Sequence, residues 1–234
     1  MLPSYLNYFS EIMPFIFCIY FLKKNKSKDI KVFFVYTIFL FISIIAVIIF
    51  RYILRSHETY ILFDRFFIIA EYTLISQFFA YNIQNLTLKK ATQYSVIPFS
   101  LFSLLDYLTT INQSFSYYPL VAECLLFPII IIIFFYEKMK FSTKYPIYAS
   151  PAFWIAIAFL IFSTGNFFLF LFSKLLLLNA DNKPLYNDIY GFFTILKNVL
   201  LCIAIVVVKN FKNNDEEFKI NINLELEAFP LPKL

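Results

Sequence analysis

Seven apolar stretches, at 4–22, 32–50, 61–83, 94–110, 118–136, 152–173 and 188–208, are joined by short polar connectors and leave little of the chain over. Segments of this kind can enter hydrocarbon only as helices, because an α-helix satisfies its own N–H and C=O groups within one segment. Each crossing needs about 20 apolar residues, and most of the stretches are close to that. The sequence therefore predicts an all-α, polytopic membrane bundle of about seven transmembrane helices over 1–208. A short cytoplasmic tail of mixed charge, 209–234, follows it and is expected to be flexible. Composition excludes the soluble alternative. The 234 residues are 61% hydrophobic and 15% charged, with mean hydropathy +0.73, whereas a soluble domain carries about 25% charge.

Basic residues near the ends of the stretches set the orientation. The connectors 23–31, 84–93 and 137–150 and the start of the tail carry twelve Lys, against Arg51, Arg55, Lys174 and Lys183 on the other side. Twelve against four places the lysine-rich side in the cytoplasm and the N-terminus outside, as expected for a multi-pass protein of the bacterial inner membrane. The net charge of +5 is then a topology signal, with no nucleic-acid partner needed to explain it. The N-terminal residues MLPSYLNYFSE lack a basic region and a small-residue cleavage site, so the first stretch is expected to be a retained span. Pro14, Pro98 and Pro128 fall inside spans, where kinks are expected. With two Gly in the chain, close small-residue crossings are expected to be scarce and packing to rest on large side chains and polar contacts. The many Phe, Tyr, Ile, Asn and Lys share AT-rich codons, which accounts for their joint abundance without a dedicated aromatic lining.

Several chemistries lack their parts. The single histidine, His57, cannot build a zinc hydrolase site, two glycines cannot make a phosphate-cradling loop, and no G-x-S-x-G turn is present. Cys18, Cys124 and Cys202 all fall inside spans, where cysteine is ordinarily a small hydrophobe. Neither a catalytic motif nor a cofactor signature remains.

Ionisable residues inside spans are costly, face the bundle interior and are functional candidates by default. The third stretch carries Asp64, Arg65 and Glu71; Asp64 and Glu71, seven apart, lie on nearly one helix face. Asp106 stands near the outer end of the fourth stretch, Glu123 near that of the fifth, and Asn166 in the outer half of the sixth. The seventh carries Lys197 near mid-depth, on one face with Tyr190 and Thr194. All of them fall in the outer half of the membrane or at its middle, which predicts a polar ligand pocket open to the outside and closed below by an apolar half. The alternative is a purely structural Lys–Glu pair that fixes helix register. A mid-span lysine on a seventh helix also invites comparison with retinal proteins. Phe193 stands where an Asp one turn earlier is needed, and Trp154 is the only Trp.

Two segments, IIAEYTLISQFFAY with Glu71 and PAFWIAIAFLIFSTGNFFLFLFS with Pro151 and Trp154, resemble a group of bacterial seven-helix proteins similar to the membrane sensor modules that precede histidine kinases. The resemblance implies a non-enzymatic receptor or sensor component with a small-molecule ligand outside and a cytoplasmic signalling partner, although these 234 residues contain no kinase domain. A small transporter is the second expectation, weakened by the lack of an internal repeat. A lipid hydrolase using Glu71 and Asp64 is the third, and it requires both carboxylates to converge on one bond.

Overall fold

Every apolar stretch folds as a helix. The computed structural model describes residues 4–22, 28–50, 57–110, 117–140, 146–178 and 180–228, and among them there is no strand. In chain order the helices are α1 Ser4–Leu22, α2 Lys28–Ile48, α3 His57–Asn82, α4 Leu86–Tyr94, α5 Val96–Thr110, α6 Tyr118–Lys140, α7 Pro151–Leu171, α8 Ser173–Leu178 and α9 Lys183–Ala228. Arg51 and Arg55, the lysines at 23, 24, 26 and 144, and the final stretch 229–234 lie outside the described residues.

Four of these helices are long and apolar enough to cross a bilayer: α2 over Ile30–Ile48, α6, α7, and α9 over Lys183–Val207. The other three expected spans fall short for identifiable reasons. The described apolar part of α1, Leu6–Phe21, is too short. Helix α5 has 15 residues, about 22 Å at 1.5 Å per residue, against a hydrocarbon core of about 30 Å. Helix α3 has ample length at 26 residues but carries Glu58, Asp64, Arg65 and Glu71.

The surface identifies the solvent. Leu105, Leu108, Ile129, Ile132, Phe66 and Phe168 are exposed, whereas Arg65, Glu71, Glu123, Lys197, Asn166 and Asn198 are buried. Water would select the opposite arrangement, and a lipid environment selects this one. The chain is thus a helical membrane protein.

Packing joins α1 to α2, α2 to α3, α3 to α6, α6 to α7, α7 to α9 and α9 back to α1, which closes a ring; α5 sits against α3 and α6. Inside it Tyr36, Tyr72, Phe127 and Phe159 are at most 1% exposed. Their rings meet in sequence, with centroids 5.5 Å apart for Tyr72 and Phe127, 5.2 Å for Phe127 and Phe159, and 5.7 Å for Phe159 and Tyr36.

The connector 84–93, expected as a loop, is largely the helix α4. Pro98 explains why α4 and α5 are separate, since it has no N–H for the carbonyl of Tyr94 and its ring crowds that carbonyl. The break falls at Ser95, whose Oγ donates to the Thr92 carbonyl at 2.8 Å and lies 2.8 Å from the Tyr72 hydroxyl. The turn before α4 is held from a distance. Buried Glu137, near the end of α6, accepts the N–H of Gln84 at 2.7 Å and of Asn85 at 3.0 Å. Asn85 in turn caps α4 by accepting the N–H of Thr87 at 2.9 Å. At the start of α7, Pro151 occupies the first turn, where its missing N–H costs nothing, and the Trp154 indole donates to the Tyr148 carbonyl at 2.9 Å.

Both glycines lie where another helix comes close to α9 or its neighbour α7. A Cβ at Gly165 would meet three atoms of the Phe193 ring at 2.4–2.6 Å, and one at Gly191 would meet the Asn7 amide at 2.7 Å. The two glycines thus each serve one close helix contact. Gly165→Ala is expected to destabilise the bundle by about 1–2 kcal/mol, because overpacking of about 1–3 kcal/mol exceeds the gain of up to about 1 kcal/mol in helix propensity. Thermal unfolding in detergent should show a lowered midpoint. Gly191→Ala should lower it less, since the Asn7 amide can turn aside.

Candidate functional site

Lys197 stands near the middle of the membrane-capable stretch of α9, a depth at which hydrocarbon cannot solvate an ammonium. Its Nζ lies 3.3 Å from Glu71 Oε1 on α3, with the two side chains 6% and 8% exposed. The same oxygen accepts the Tyr36 hydroxyl of α2 at 2.8 Å. The ammonium also lies over the Phe162 ring, 4.2 Å from its centroid, and 5.5 Å from that of Phe159. Ring quadrupoles attract a cation most strongly where it has lost water. Three helices therefore converge on one carboxylate oxygen.

A second pair links α3 to α5. Arg65 Nη2 lies 3.0 Å from Asp106 Oδ2, with both side chains nearly inaccessible. Arg65 stands six residues before Glu71, so the two pairs occupy successive levels along α3.

Glu123 on α6 has no such partner. It is 4% exposed, and its Oε1 is buried without a hydrogen bond, yet it lies within electrostatic reach of Glu71, Lys197 and Asp64. Asp64 also has a buried oxygen, Oδ2, without a hydrogen bond, and feels the charges of Arg65 and Glu71. Asn166 on α7 is fully buried; its amide donates to the Phe162 carbonyl at 2.9 Å, and its Oδ1 has no hydrogen-bond partner. Tyr190 packs on Phe162 and Phe170 at 6.3 and 6.0 Å within reach of the Glu71 charge. Thr194 Oγ1 donates back to the Tyr190 carbonyl at 2.9 Å.

Of the eight residues that the sequence singles out, Asp64, Glu71, Glu123, Tyr190 and Lys197 thus form one electrostatic neighbourhood. Arg65 and Asp106 form the adjacent pair, and Asn166 borders the neighbourhood through Phe162. Two members escaped sequence reasoning. Tyr36 is one of 17 tyrosines and carries no distinguishing pattern. Glu11 interrupts the first apolar stretch, which was a usable signal; it feels the charges of Lys197 and Glu71. A polar contact between α1 and α9 also lies next to the site, where the Asn198 amide donates to Ser10 Oγ at 3.1 Å.

The two ends of the ring differ. Toward the α4 end, Phe33, Phe78, Phe79 and Phe134 are at most 1% exposed and meet through centroid distances of 5.3–6.0 Å. Toward the opposite end stand Asp64 and the rings of Tyr117 and Tyr186, whose centroids are 6.3 Å apart. Among the described residues no group of three or more His, Cys, Asp or Glu converges to hold a metal ion. Cys18, Cys124 and Cys202 are buried and free.

No protein-family model matches the chain, and neither does a curated protein or a solved structure. Its own residues carry the functional argument.

Removing one partner of a buried pair leaves an orphan charge, whereas removing both does not. Lys197→Met alone should cost about 3–5 kcal/mol, and Glu71→Gln with Lys197→Met should recover most of that. Unfolding midpoints of the two single variants and the double variant, compared as a cycle, check this; additive losses would show that the pair is not coupled.

Proposed function

We propose that the chain is a non-enzymatic, multi-pass protein of the bacterial inner membrane, a receptor or sensor component whose ligand pocket is the charged core in the outer half of the bilayer. The observation that carries this is the buried Lys197, bonded to Glu71 while a second buried carboxylate, Glu123, stands in reach without a hydrogen bond on its Oε1. One ammonium and two carboxylates carried by three different helices allow two pairings, and a signal needs an element with two arrangements. A ligand that neutralises or displaces one carboxylate shifts Lys197, and with it α9, relative to α3 and α6.

Several features support an outward pocket and an inward signal. The aromatic layer of Phe33, Phe78, Phe79 and Phe134 closes the α4 end, which the lysine distribution assigns to the cytoplasm. Helix α9 carries Lys197 and continues to Ala228, so a shift at the site can be passed to a cytoplasmic signalling partner. In this arrangement seven helices span the bilayer with the N-terminus outside, α1, α3 and α5 crossing because their neighbours cover their short or charged segments. The resemblance of the α3 and α7 sequences to kinase-linked sensor modules points the same way. A hydrolase using Glu71 and Asp64 fits less well, since Glu71 is engaged by both Lys197 and Tyr36.

Two experiments test this. In intact cells, single cysteines replacing Lys90 and Lys138 should resist a membrane-impermeant maleimide, the native thiols being buried; labelling from outside would overturn the orientation. In a strain where loss of the gene has a phenotype, Glu71→Gln with Lys197→Met should reach the membrane at normal abundance yet fail to restore function. Full complementation by that variant would reduce the pair to a structural one.

A further inference from the structure

The charges around Lys197 do not balance. Glu11, Asp64 and Glu71 all lie within electrostatic reach of one another's cluster, and Lys197 is bonded to Glu71. The other cation near the cluster, Arg65 on α3, is engaged by Asp106. Glu123 adds one more carboxyl, nine-tenths and more buried, with an oxygen that no hydrogen bond satisfies. Were every group ionised, three negative charges would stand uncompensated inside the ring. Isolated carboxylates in a low-dielectric interior are neutralised rather than tolerated, and like charges sharing a site cannot all ionise.

The groups facing Glu123 can be taken helix by helix. Helix α3 presents Asp64, Glu71 and the Tyr72 hydroxyl, which lies 2.8 Å from Ser95 Oγ, and α9 presents Lys197. Helix α2 presents the Tyr36 hydroxyl, already donated to Glu71. On α5 the carboxylate of Asp106 is held by Arg65, and α7 contains no ionisable residue. The single ammonium among them is committed to Glu71, so Glu123 faces more negative charge than positive. Phe127, one turn along α6 and packed between Tyr72 and Phe159, adds apolar surface but no donor.

Resting on the sensor reading and deepening it, we infer that the Glu123 carboxyl is an exchangeable proton-binding site, and that the proton is the ligand whose arrival or departure moves Lys197 between Glu71 and Glu123. With the proton bound, Glu123 is neutral and Lys197 stays on Glu71. When it leaves to the aqueous side, two carboxylates compete for one ammonium. Proton loss accompanies rising pH, so alkaline conditions favour the competing arrangement. A proton also suits a site whose carboxylates do not converge as a metal cage.

Infrared spectroscopy on the full chain in phosphatidylcholine vesicles, with pH and deuterium exchange as the probe, reads this directly. Expected is carboxylic-acid carbonyl absorption at neutral pH with one component that shifts to lower frequency in D2O, fades as pH rises, is lost from the Glu123→Gln spectrum and persists in Glu71→Gln, the remaining absorption belonging to the other buried carboxyls. Glu123→Asp should move the band without abolishing it, which keeps the assignment testable if the Gln variant does not fold. A band absent at neutral pH, or unchanged in both Glu123 variants, overturns the proposal. So does a sodium-dependent spectral change at fixed pH that Glu123→Gln removes, because the site would then take a metal cation. The spectrum is read on the isolated protein, so its failure leaves the sensor reading standing, while failed complementation bears on the sensor reading alone.

Discussion

The bond between Lys197 and Glu71 is the interaction on which the rest of the interior depends. It joins α9 to α3 across the ring, and it occurs where neither charge can be left alone. A charged residue at the centre of a span costs about 2.5–3.5 kcal/mol on insertion scales. At 3.3 Å, with Tyr36 donating to the same oxygen at 2.8 Å and Phe162 beneath the ammonium at 4.2 Å, each group replaces part of the water that the other has lost. Register follows from this, because sliding α9 by one residue would carry Lys197 about 100° around its axis and away from Glu71. The glycine crossings at Gly165 and Gly191 flank the same helix, so α9 is fixed by close approach as well as by charge.

Inside the ring, polarity and apolarity separate along the helix axis. Aromatic side chains fill the α4 end, where Glu137 ties the α3–α4 turn to α6 through backbone N–H groups. Carboxylates, tyrosines and the ammonium occupy the rest. Such an interior is rigid at one end and electrostatically frustrated at the other, since its four carboxyls, Glu11, Asp64, Glu71 and Glu123, have one ammonium among them, and the Arg65 guanidinium near Asp64 is already bonded to Asp106. Rigid aromatic packing transmits strain, whereas a frustrated charge set has more than one arrangement of similar energy. A displacement that starts at the polar end therefore meets a stiff lever rather than a soft core.

Much of this was legible in the sequence, for a physical reason. In hydrocarbon the backbone leaves only the helix available, so each apolar stretch had one outcome, and Glu71 and Lys197 stood out against runs of Phe, Ile and Leu. Glu11 carried the same signal, but three residues later Pro14 breaks the same short stretch, and a charge in so interrupted a segment does not stand out. Tyr36 could not be found, because its role comes from where α2 lies against α3, and tyrosine is common in this chain. The 84–93 connector hid α4 because its polar composition resembles a loop; the cap comes from Asn85 and from Glu137, some fifty residues away in sequence. Long-range partners of that kind leave no local pattern.

Glu71 and Glu123 show why the same residue type takes two roles in one site. Glu71 receives a hydroxyl and an ammonium on the same oxygen. Glu123 receives neither on its Oε1 and faces the charge of Glu71 itself. One carboxyl is thus engaged by two donors, while the other keeps a buried oxygen that no hydrogen bond satisfies. Environments that differ in this way are what assign distinct proton-transfer roles to neighbouring carboxyls. Lys197 links the two, because any movement that brings it toward Glu123 takes it from Glu71. Proton occupancy and helix position are therefore one coupled equilibrium, and a ligand that changes either must change both.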